Sequence, residues 1–308
     1  MRDEEKRRPA AALQNVINTD SLPLQEYAEF AAEAARRAGE IALRYYQKLP
    51  GVEYKADHSP VTVADRESEQ LLRRLLEERY PEHGILGEEY GLTRGEAALR
   101  WYLDPIDGTF SFVRGVPLFG VMLGVAAKEH APEKQVPGPP RRARDENGVN
   151  GFNPLVGVVH LPVLGETAVA WRGGGCWWNG TRAHVSATAK LEEAVLLSSD
   201  PIDLARSPKQ RGYERLRARV KVQRGWGDCY GHVLVATGRA EIMLDAALHE
   251  WDAAPLVPIL EEAGGRFTDW RGRRTISGGD GFATNGELFE VVRGCLQGNP
   301  NPKGIEKR

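Results

Sequence analysis

The strongest chemical signal in the sequence is a short acidic turn that follows an apolar run. The run at 101–103 leads into the hexapeptide Asp-Pro-Ile-Asp-Gly-Thr, in which Asp104 and Asp107 stand three residues apart. Asp-Pro and Asp-Gly both favour turns, so the pattern is also consistent with a plain surface turn. If the run is a buried strand, both carboxylates and the backbone N–H groups from Gly108 onward lie at one end of a sheet. That arrangement can hold a divalent metal and a phosphate side by side.

Two further acidic segments strengthen the metal interpretation. Glu88 and Glu89 follow an apolar pair after one glycine, and Asp252 stands at the start of a helical pattern. Each also has a simpler interpretation, since Glu89 fits a solvated surface and Asp252 fits a helix N-cap. If Glu88 and Asp252 meet the two aspartates of the hexapeptide, each pair of charges about 5 Å apart costs roughly 3 kcal/mol at an effective dielectric constant near 20. Such a cluster requires cations, and its oxygen ligands favour Mg²⁺, Mn²⁺ or Ca²⁺ over zinc.

Composition restricts the class of protein. The chain has 308 residues, with 41 Lys and Arg against 43 Asp and Glu, a formal net charge of -2. This balance excludes a broadly basic nucleic-acid-binding protein, and 41% hydrophobic residues indicate a sizeable core. No apolar stretch approaches the ~18 residues of a membrane span, and the charged N-terminus lacks a secretory pattern. Three dispersed cysteines (Cys176, Cys229 and Cys295) argue against a disulfide scaffold, so we expect buried thiols and a cytoplasmic enzyme.

Alternating helical and strand patterns surround the acidic positions. Apolar residues recur at helical spacing from Leu24 to the Pro-Gly pair at 50–51. A second helix is predicted from Thr62, where Asp65 completes a capping box. The remaining predictions are helices at 229–237 and 252–263 and strands at 101–103, 121–127, 155–160, 167–171, 195–198 and 241–244. This alternation without a regular repeat indicates a layered α/β chain.

Two segments interrupt the alternating pattern. Residues 1–20 contain a run of seven charged residues, which predicts a charged N-terminal tail. Residues 129–153 combine prolines with a basic cluster, which predicts a surface loop inserted between two strands. We therefore divide the chain into an N-terminal α/β part over 21–153 that binds metal and phosphate and a C-terminal α/β part over 154–308. The second part is expected to contribute Asp252 and the substrate contacts.

The order of the acidic motifs resembles that of the inositol monophosphatase family over roughly residues 24–295. The motifs that carry the resemblance are Gly87-Glu88-Glu89, Asp104-Pro105-Ile106-Asp107-Gly108-Thr109, Trp251-Asp252 and Glu262-Ala263-Gly264-Gly265. The resemblance implies an α/β (α+β) fold, a layered αβαβα sandwich, and a Mg²⁺-dependent phosphomonoesterase acting on a small-molecule phosphate ester. With the composition, it predicts a homodimer that has neither a membrane nor a nucleic acid as partner.

The resemblance implies a set of metal ligands, position by position. A first ion is expected on Glu88, Asp104 and the carbonyl of Ile106. A second ion is expected on Asp104, Asp107 and Asp252, and a weaker third ion near Glu88. The expected cofactor is therefore two or three Mg²⁺ ions, with Mn²⁺ as a substitute.

The resemblance also implies how phosphate and water are held. The amides of Gly108 and Thr109 would bind phosphate oxygens, and Lys55 stands where the family often has a basic residue near the phosphate. Thr109, hydrogen-bonded to Asp65, would orient and deprotonate the attacking water together with Glu88. Lys55 is equally consistent with a surface lysine, and Asp65 also fits a helix cap. The implied mechanism is direct in-line attack of metal-bound water without a phosphoenzyme.

The substrate is less constrained than the reaction. Ser111 stands where the family commonly has Asn, and the segment 227–230 (Gly-Asp-Cys-Tyr) is more similar to the histidinol-phosphatase branch. Histidinol phosphate carries an ammonium group and an imidazole, which carboxylates can recognise. The resemblance implies that Asp107, Asp228, Asp245 and Asp252 contact the alcohol part. Asp228 and Asp245 also fit surface or cap acids. Histidinol phosphate, an intermediate of histidine biosynthesis, is therefore the first expectation.

Other functions stay open at this point. Inositol hydroxyls also favour carboxylate acceptors, so inositol 1-phosphate is the second expectation, and a 3′-nucleotide or sugar bisphosphate is the third. A regulatory, RNA-binding role without catalysis predicts broken metal ligands, whereas every ligand position here carries its acid. A haloacid-dehalogenase phosphatase is excluded because its aspartates are spaced differently. No Walker or dinucleotide-binding glycine motif is present.

Overall fold

The computed structural model describes residues 18–48, 53–54, 60–129 and 151–298. Most of the predicted N-terminal tail and of the predicted inserted loop lies outside these ranges, so both stay predictions. No helix within the described ranges is long and apolar enough to cross a membrane. All three cysteines are buried and free of disulfides, as predicted.

Helices and strands alternate along the described chain. The helices are α1 (Leu24–Tyr45), α2 (Val63–Arg79), α3 (Thr109–Val113), α4 (Pro201–Arg206), α5 (Gln210–Arg217), α6 (Asp228–Ala236), α7 (Glu250–Glu262) and α8 (Phe289–Gln297). The first strands are β1 (Glu53–Tyr54), β2 (Pro60–Val61), β3 (Gly84–Gly87), β4 (Gly91–Thr93), β5 (Leu99–Asp107), β6 (Gly120–Lys128), β7 (Phe152–Leu161), β8 (Glu166–Trp171), β9 (Gly175–Trp178) and β10 (Thr181–Arg182). The later strands are β11 (Val195–Ser198), β12 (Val222–Arg224), β13 (Ile242–Asp245), β14 (Arg266–Thr268) and β15 (Gly281–Thr284).

These strands form two large sheets and one short ribbon. The first sheet has the order β10-β9-β8-β7-β6-β5-β3-β4 and is antiparallel except for the parallel pair β3 and β5. The second sheet has the order β12-β11-β13-β15-β14, with β12, β11 and β13 parallel to one another. Strands β1 and β2 pair separately. The parallel pair β3 and β5 matters most for function, because it brings the carboxyl ends of both strands to one edge.

Helices cover the sheets in layers. Helices α1 and α2 pack on one face of the first sheet through an apolar cluster that includes Leu72 and Trp101. Helices α6 and α7 lie between the two sheets in a second cluster. Helices α4, α5 and α8 cover the outer face of the second sheet. The order helix, sheet, helix, sheet, helix confirms the predicted αβαβα fold.

Two glycines of the first sheet allow α7 to lie directly on it. A Cβ on Gly157 of β7 would lie only 1.9 Å from the carbonyl oxygen of Pro255, and one on Gly124 of β6 would lie 2.9 Å from the Pro255 nitrogen. Any side chain at these positions would push the helix away from the sheet. The glycines therefore set the distance between the sheet and the first turn of α7, which carries Asp252.

Most predicted elements are present, and the differences lie at their ends. The sequence predicts that α1 reaches the pair at 50–51, but the helix ends at Tyr45. The reason is that Gln47 has a left-handed φ of 61°, which a helix cannot continue through. The predicted strand at 101–103 is the centre of the longer β5.

The predicted domain boundary falls inside the first sheet. Position 153 lies in β7, which pairs with β6 on the other side of the inserted segment. The chain passes from the first sheet to the second between β10 and β11. The predicted boundary does not coincide with this passage, and the division into an N-terminal and a C-terminal part stays a prediction.

Candidate active site

The acidic hexapeptide occupies the carboxyl end of β5. Strand β5 runs through Pro105, where pairing with β6 is irregular between Asp104 and Asp107, because proline has no N–H to donate. Gly108 then turns the chain with a φ of 81°, and α3 begins at the next residue. This local irregularity brings both carboxylates to the same edge of the sheet.

Glu88 reaches the same edge through the parallel pairing of β3 with β5. Gly87 is the register partner of Leu103, and the N–H of Glu88 donates to the Leu103 carbonyl at 3.1 Å. The first residue after β3 therefore lies beside the first acid of the hexapeptide.

Asp252 enters from the opposite side in the first turn of α7. The sequence also allowed it to be the helix N-cap, but His249 occupies that position. Asp252 is the third residue inside the helix, and its Oδ2 accepts the His249 N–H at 2.9 Å in a capping box. Only one of its carboxylate oxygens is used in this way, so capping is compatible with binding a metal.

The three aspartates form one compact cluster. Each of Asp104, Asp107 and Asp252 offers a carboxylate oxygen, and these oxygens all lie within 4.8 Å of one another. Asp104 is only 3% exposed. Among the described residues, no Lys or Arg forms an ion pair with these three acids. The structure thus brings together three of the four acids that are expected to converge, and Glu88 lies close enough to raise the pKa of Asp104.

Burial and mutual repulsion perturb these carboxyl groups. Burial, reinforced by the nearby Glu88, Asp107 and Asp252, raises the pKa of Asp104 well above its usual range. Burial likewise raises the pKa of Asp107 and of Asp252 to about 7. A set of buried, clustered carboxylates without a basic partner fits a hard divalent cation, whose charge would keep the acids ionised.

The start of α3 leaves two backbone N–H groups beside the acids. The N–H groups of Gly108 and Thr109 precede the first full turn of the helix, so they have no carbonyl partner within it. Lys55, the predicted basic residue near the phosphate, lies outside the described residues.

The predicted hydrogen bond between Thr109 and Asp65 is wrong for this structure. The Thr109 hydroxyl donates to the carbonyl of Ile106 at 3.0 Å. Asp65 Oδ2 accepts from the N–H and the hydroxyl of Thr62, at 2.8 and 2.6 Å, in the capping box of α2. Asp65 Oδ1 is buried without a hydrogen-bond partner, and burial raises the pKa of this carboxyl group to about 7. The cap interpretation of Asp65 is therefore confirmed, whereas its catalytic role stays a prediction.

A second acidic group faces the first from the other sheet. Asp245 ends β13, and Asp228 begins α6 with a left-handed φ of 55°. Ser199 joins them, since its hydroxyl donates to Asp245 Oδ1 at 2.5 Å and accepts the Asp228 N–H at 2.9 Å. His232 Nε2 lies 2.7 Å from Asp245 Oδ2. These four residues form a continuous hydrogen-bonded group.

Residues of both acidic groups line one pocket. The polar residues that line it are Asp107, Ser199, Asp228, His232, Asp245 and Asp252. The N–H of Cys229 in α6 donates to Asp107 Oδ2 at 2.5 Å, which ties the two groups together. Burial, together with Asp107 and Asp245, raises the pKa of Asp228 to about 8. All four carboxylates expected to contact the alcohol therefore meet in this pocket.

Sequence reasoning missed Ser199 and His232. Ser199 directly follows the apolar strand β11, and a polar residue at the end of a parallel strand is a weak signal for a site. His232 stands in the largely apolar helix α6 and carries no local signal.

The layered fold and the acidic pocket beside a helix start define the class of a phosphoric monoester hydrolase. A model of the inositol monophosphatase family matches residues 23–133 and 149–298, and the chain belongs to this family.

Individual relatives agree with that assignment. A histidinol-phosphatase of Chlorobaculum parvum is 38% identical over 257 residues, covering 83% of this chain and 90% of that protein. A histidinol-phosphatase of Mycobacterium tuberculosis is 35% identical, covering 85% of this chain and 94% of that protein. The solved structure of an inositol monophosphatase from Zymomonas mobilis matches with a TM-score of 0.74 at 28% identity, covering 90% of this chain and 99% of that one. The predicted resemblance to the histidinol-phosphatase branch is thus confirmed.

Proposed function

We propose that the protein is a Mg²⁺-dependent histidinol-phosphatase, which hydrolyses histidinol phosphate to histidinol and inorganic phosphate by in-line attack of water. The proposal is supported above all by the pocket, in which carboxylates of both acidic groups face one space. No Lys or Arg is among the described residues that line it. An alcohol that carries positive charge fits such a surface, and the phosphate requires cations between itself and the acids.

The two ends of the substrate would lie on different residues. A Cβ on Gly108 would be 3.0 Å from Asp228 Oδ2, so Asp228 lies directly beside the turn that we propose binds phosphate. A phosphate held by the amides of Gly108 and Thr109 therefore places the alcohol against Asp228 and Asp245. The ammonium and imidazole groups of histidinol are suited to these carboxylates.

The cation ligands would come from the first sheet and α7. Asp104, Asp107 and Asp252, with Glu88 and the carbonyl of Ile106, supply only oxygen ligands. When bound, Mg²⁺ lowers the pKa of coordinated water and neutralises charge on the phosphoryl oxygens.

The residues around the attacking water have separable roles. Because the Thr109 hydroxyl donates to Ile106, its oxygen is left to accept a hydrogen bond from the water and so to orient it. Glu88 would accept the proton of this water. Asp65, buried close to Glu88, would adjust the charge around that proton transfer.

Inositol 1-phosphate is the second candidate. The solved structure from Zymomonas mobilis, matched along nearly its whole length, is an inositol monophosphatase. Carboxylates and a serine hydroxyl can also hydrogen-bond to the hydroxyl groups of inositol.

Phosphate release in the presence of Mg²⁺ tests the substrate. The substrates to compare are histidinol phosphate, inositol 1-phosphate and a 3′,5′-bisphosphonucleotide, each by its kcat/KM. We expect histidinol phosphate to be preferred by about a hundredfold. A similar preference for either other substrate would overturn the choice of substrate, and no release from any of them would overturn the assignment as a phosphatase.

Assembly and location are also proposed. We infer a homodimer with a role in histidine biosynthesis, as the family resemblance implies, and a cytoplasmic location, as the three dispersed cysteines predict. Light scattering on the purified protein tests the dimer, and a monomer at micromolar concentration would contradict it.

A further inference from the structure

Glu69 of α2 is a buried carboxylate that the proposed mechanism does not use. It is 0% exposed and lies on the same buried face as Asp65, one helical turn further on. A carboxylate in such a position is costly unless its oxygens are satisfied by donors. The donors to these oxygens therefore indicate the role of Glu69.

The donors come mainly from the turn that follows β3. Glu69 Oε2 accepts the N–H of Glu89 at 2.7 Å, and Oε1 accepts the N–H of Tyr90 at 3.2 Å. These are the two residues directly after Glu88. The carboxylate of Glu69 thus binds the backbone of the turn that carries a predicted metal ligand.

Arg73 holds the far end of the same turn. Its Nε donates to Glu69 Oε1 at 2.7 Å, and its terminal nitrogen donates to the carbonyl of Gly91 at 2.5 Å. The guanidinium also lies 5.9 Å from the centre of the Tyr90 ring. One ion pair on α2 therefore binds both N–H and C=O groups of residues 89–91.

The turn is shaped to receive this ion pair. A Cβ on Gly87 would lie 2.1 Å from Glu69 Oε1, so only glycine permits the approach. On the other side, the N–H of Glu88 donates to the carbonyl of Leu103 in β5. The backbone of the turn is therefore held by β5 at the N–H of Glu88 and by α2 at the N–H groups of Glu89 and Tyr90.

We propose that Glu69 and Arg73 are positioning residues that aim the carboxylate of Glu88 at the aspartate cluster. Neither side chain is a ligand itself, and both act through the backbone of the turn. The inference rests on the proposed function in one respect, namely that Glu88 binds the cation. Residues that orient metal ligands typically change metal affinity when they are replaced.

The test is calorimetric titration of the metal-free, full-length protein with Mn²⁺ alone. Glu69→Gln keeps the size of the side chain but removes its charge and one acceptor oxygen. We expect the Mn²⁺ dissociation constant to rise about tenfold or more. Arg73→Lys, which keeps the charge but loses the planar fork, should raise it by less. Glu78→Gln, on the exposed face of the same helix, is the matched control and should not change it.

The possible outcomes separate the positioning role from its alternatives. An unchanged Mn²⁺ affinity in both Glu69→Gln and Arg73→Lys, even with a lower melting temperature, would mean that the pair only stabilises the β3–β4 turn. If Glu69→Gln does not fold, Arg73→Lys decides the question alone. Glu88→Gln in the same titration tests the underlying assignment. If it weakens binding while the Glu69 and Arg73 variants do not, the positioning role alone fails. If it leaves binding unchanged, Glu88 is not a ligand, and the expected ion on Glu88, Asp104 and the Ile106 carbonyl fails with it.

Discussion

The two acidic groups of the pocket are built in opposite ways. In the metal-side group (Asp104, Asp107 and Asp252), each carboxylate accepts one backbone N–H, from Ile106, Cys229 and His249 respectively. In the alcohol-side group (Ser199, Asp228, His232 and Asp245), side chains bind one another, and Asp245 receives both a hydroxyl and an imidazole. Among the described residues, the carboxylates of the metal-side group therefore have backbone N–H groups but no Lys or Arg ion pair as partners, whereas Asp245 of the alcohol-side group is held by neighbouring side chains.

This difference separates two tasks that the same residue type performs. Carboxylates left with unused oxygens are suited to cations that arrive from solution. Carboxylates already fixed by neighbouring side chains are suited to selecting a ligand by shape and charge. We therefore expect substitutions in the two groups to change different quantities.

The largest effect is expected from Asp104→Asn. Loss of this shared ligand should lower kcat/KM about a thousandfold, because a cation supplies several kcal/mol of transition-state stabilisation. Steady-state phosphate release at saturating Mg²⁺ measures it. Asp203→Asn, on the exposed side of α4, is the matched control. A loss of less than about tenfold would remove the metal-side group from the mechanism.

The second prediction concerns stability and pH. Asp107 and Asp252 have pKa values of about 7 in the folded chain against 3.8 ordinarily, so the folded protein binds protons that the unfolded chain has released. Without metal, their contribution to stability is complete below about pH 4 and is lost as the pH rises through about 7. Each pKa unit corresponds to about 1.4 kcal/mol, so the free energy of unfolding should fall by a few kcal/mol.

Denaturant unfolding in EDTA at several pH values between 5 and 8 measures this loss. Saturating Mg²⁺ should restore stability most at pH 8, where the carboxylates are ionised. Equal stabilisation by Mg²⁺ at pH 5 and pH 8 would show that the cation does not bind these acids.

A backbone change should impair the metal-side group without touching its ligands. In Gly157→Ala, the new methyl group meets the carbonyl of Pro255 and displaces α7, so we expect a loss of about 1–3 kcal/mol of stability. The displacement of Asp252 should also weaken Mn²⁺ binding. Gly151→Ala, whose Cβ would meet only Glu129 Oε2 at 3.8 Å, is the control. Unchanged Mn²⁺ affinity in a destabilised Gly157→Ala protein would contradict the role of the glycine in placing Asp252.

The smallest effect is expected in the alcohol-side group. Ser199→Ala removes a hydrogen bond to the Asp245 carboxylate, and such bonds to charged groups contribute about 1.5–3 kcal/mol. The KM for histidinol phosphate should rise about tenfold, while Mn²⁺ affinity stays the same. Ser21→Ala, remote from the pocket on an exposed turn, controls for the loss of a serine. A fall in Mn²⁺ affinity equal to the rise in KM would show that the two groups act as one.

Two of the three acids of the metal-side group could be predicted from sequence because their signals are local. Asp104 and Asp107 stand in one hexapeptide after an apolar run, and that run is the buried strand β5. Asp252 is distant along the chain, and only its position in the family pattern connects it with the other acids. The strand pairing and the glycine contacts that bring α7 onto the sheet are tertiary facts with no local signal.

The finer contacts could not be predicted. A hydroxyl donates one hydrogen bond, and the choice of Ile106 over Asp65 by Thr109 depends on atomic positions that the sequence does not encode locally. The roles of Ser199 and His232 arise only when β11, β13 and α6 pack together. Glu69 resembles any helical glutamate until the turn after β3 is placed against it.

The central claim is that Asp104, Asp107 and Asp252 together hold divalent cations. Anomalous X-ray diffraction from crystals grown with Mn²⁺ tests it most directly. We expect an anomalous peak coordinated by all three carboxylates, and a second peak bounded by Asp104 and Glu88. A crystal that contains Mn²⁺ elsewhere but no peak among these acids would contradict the account.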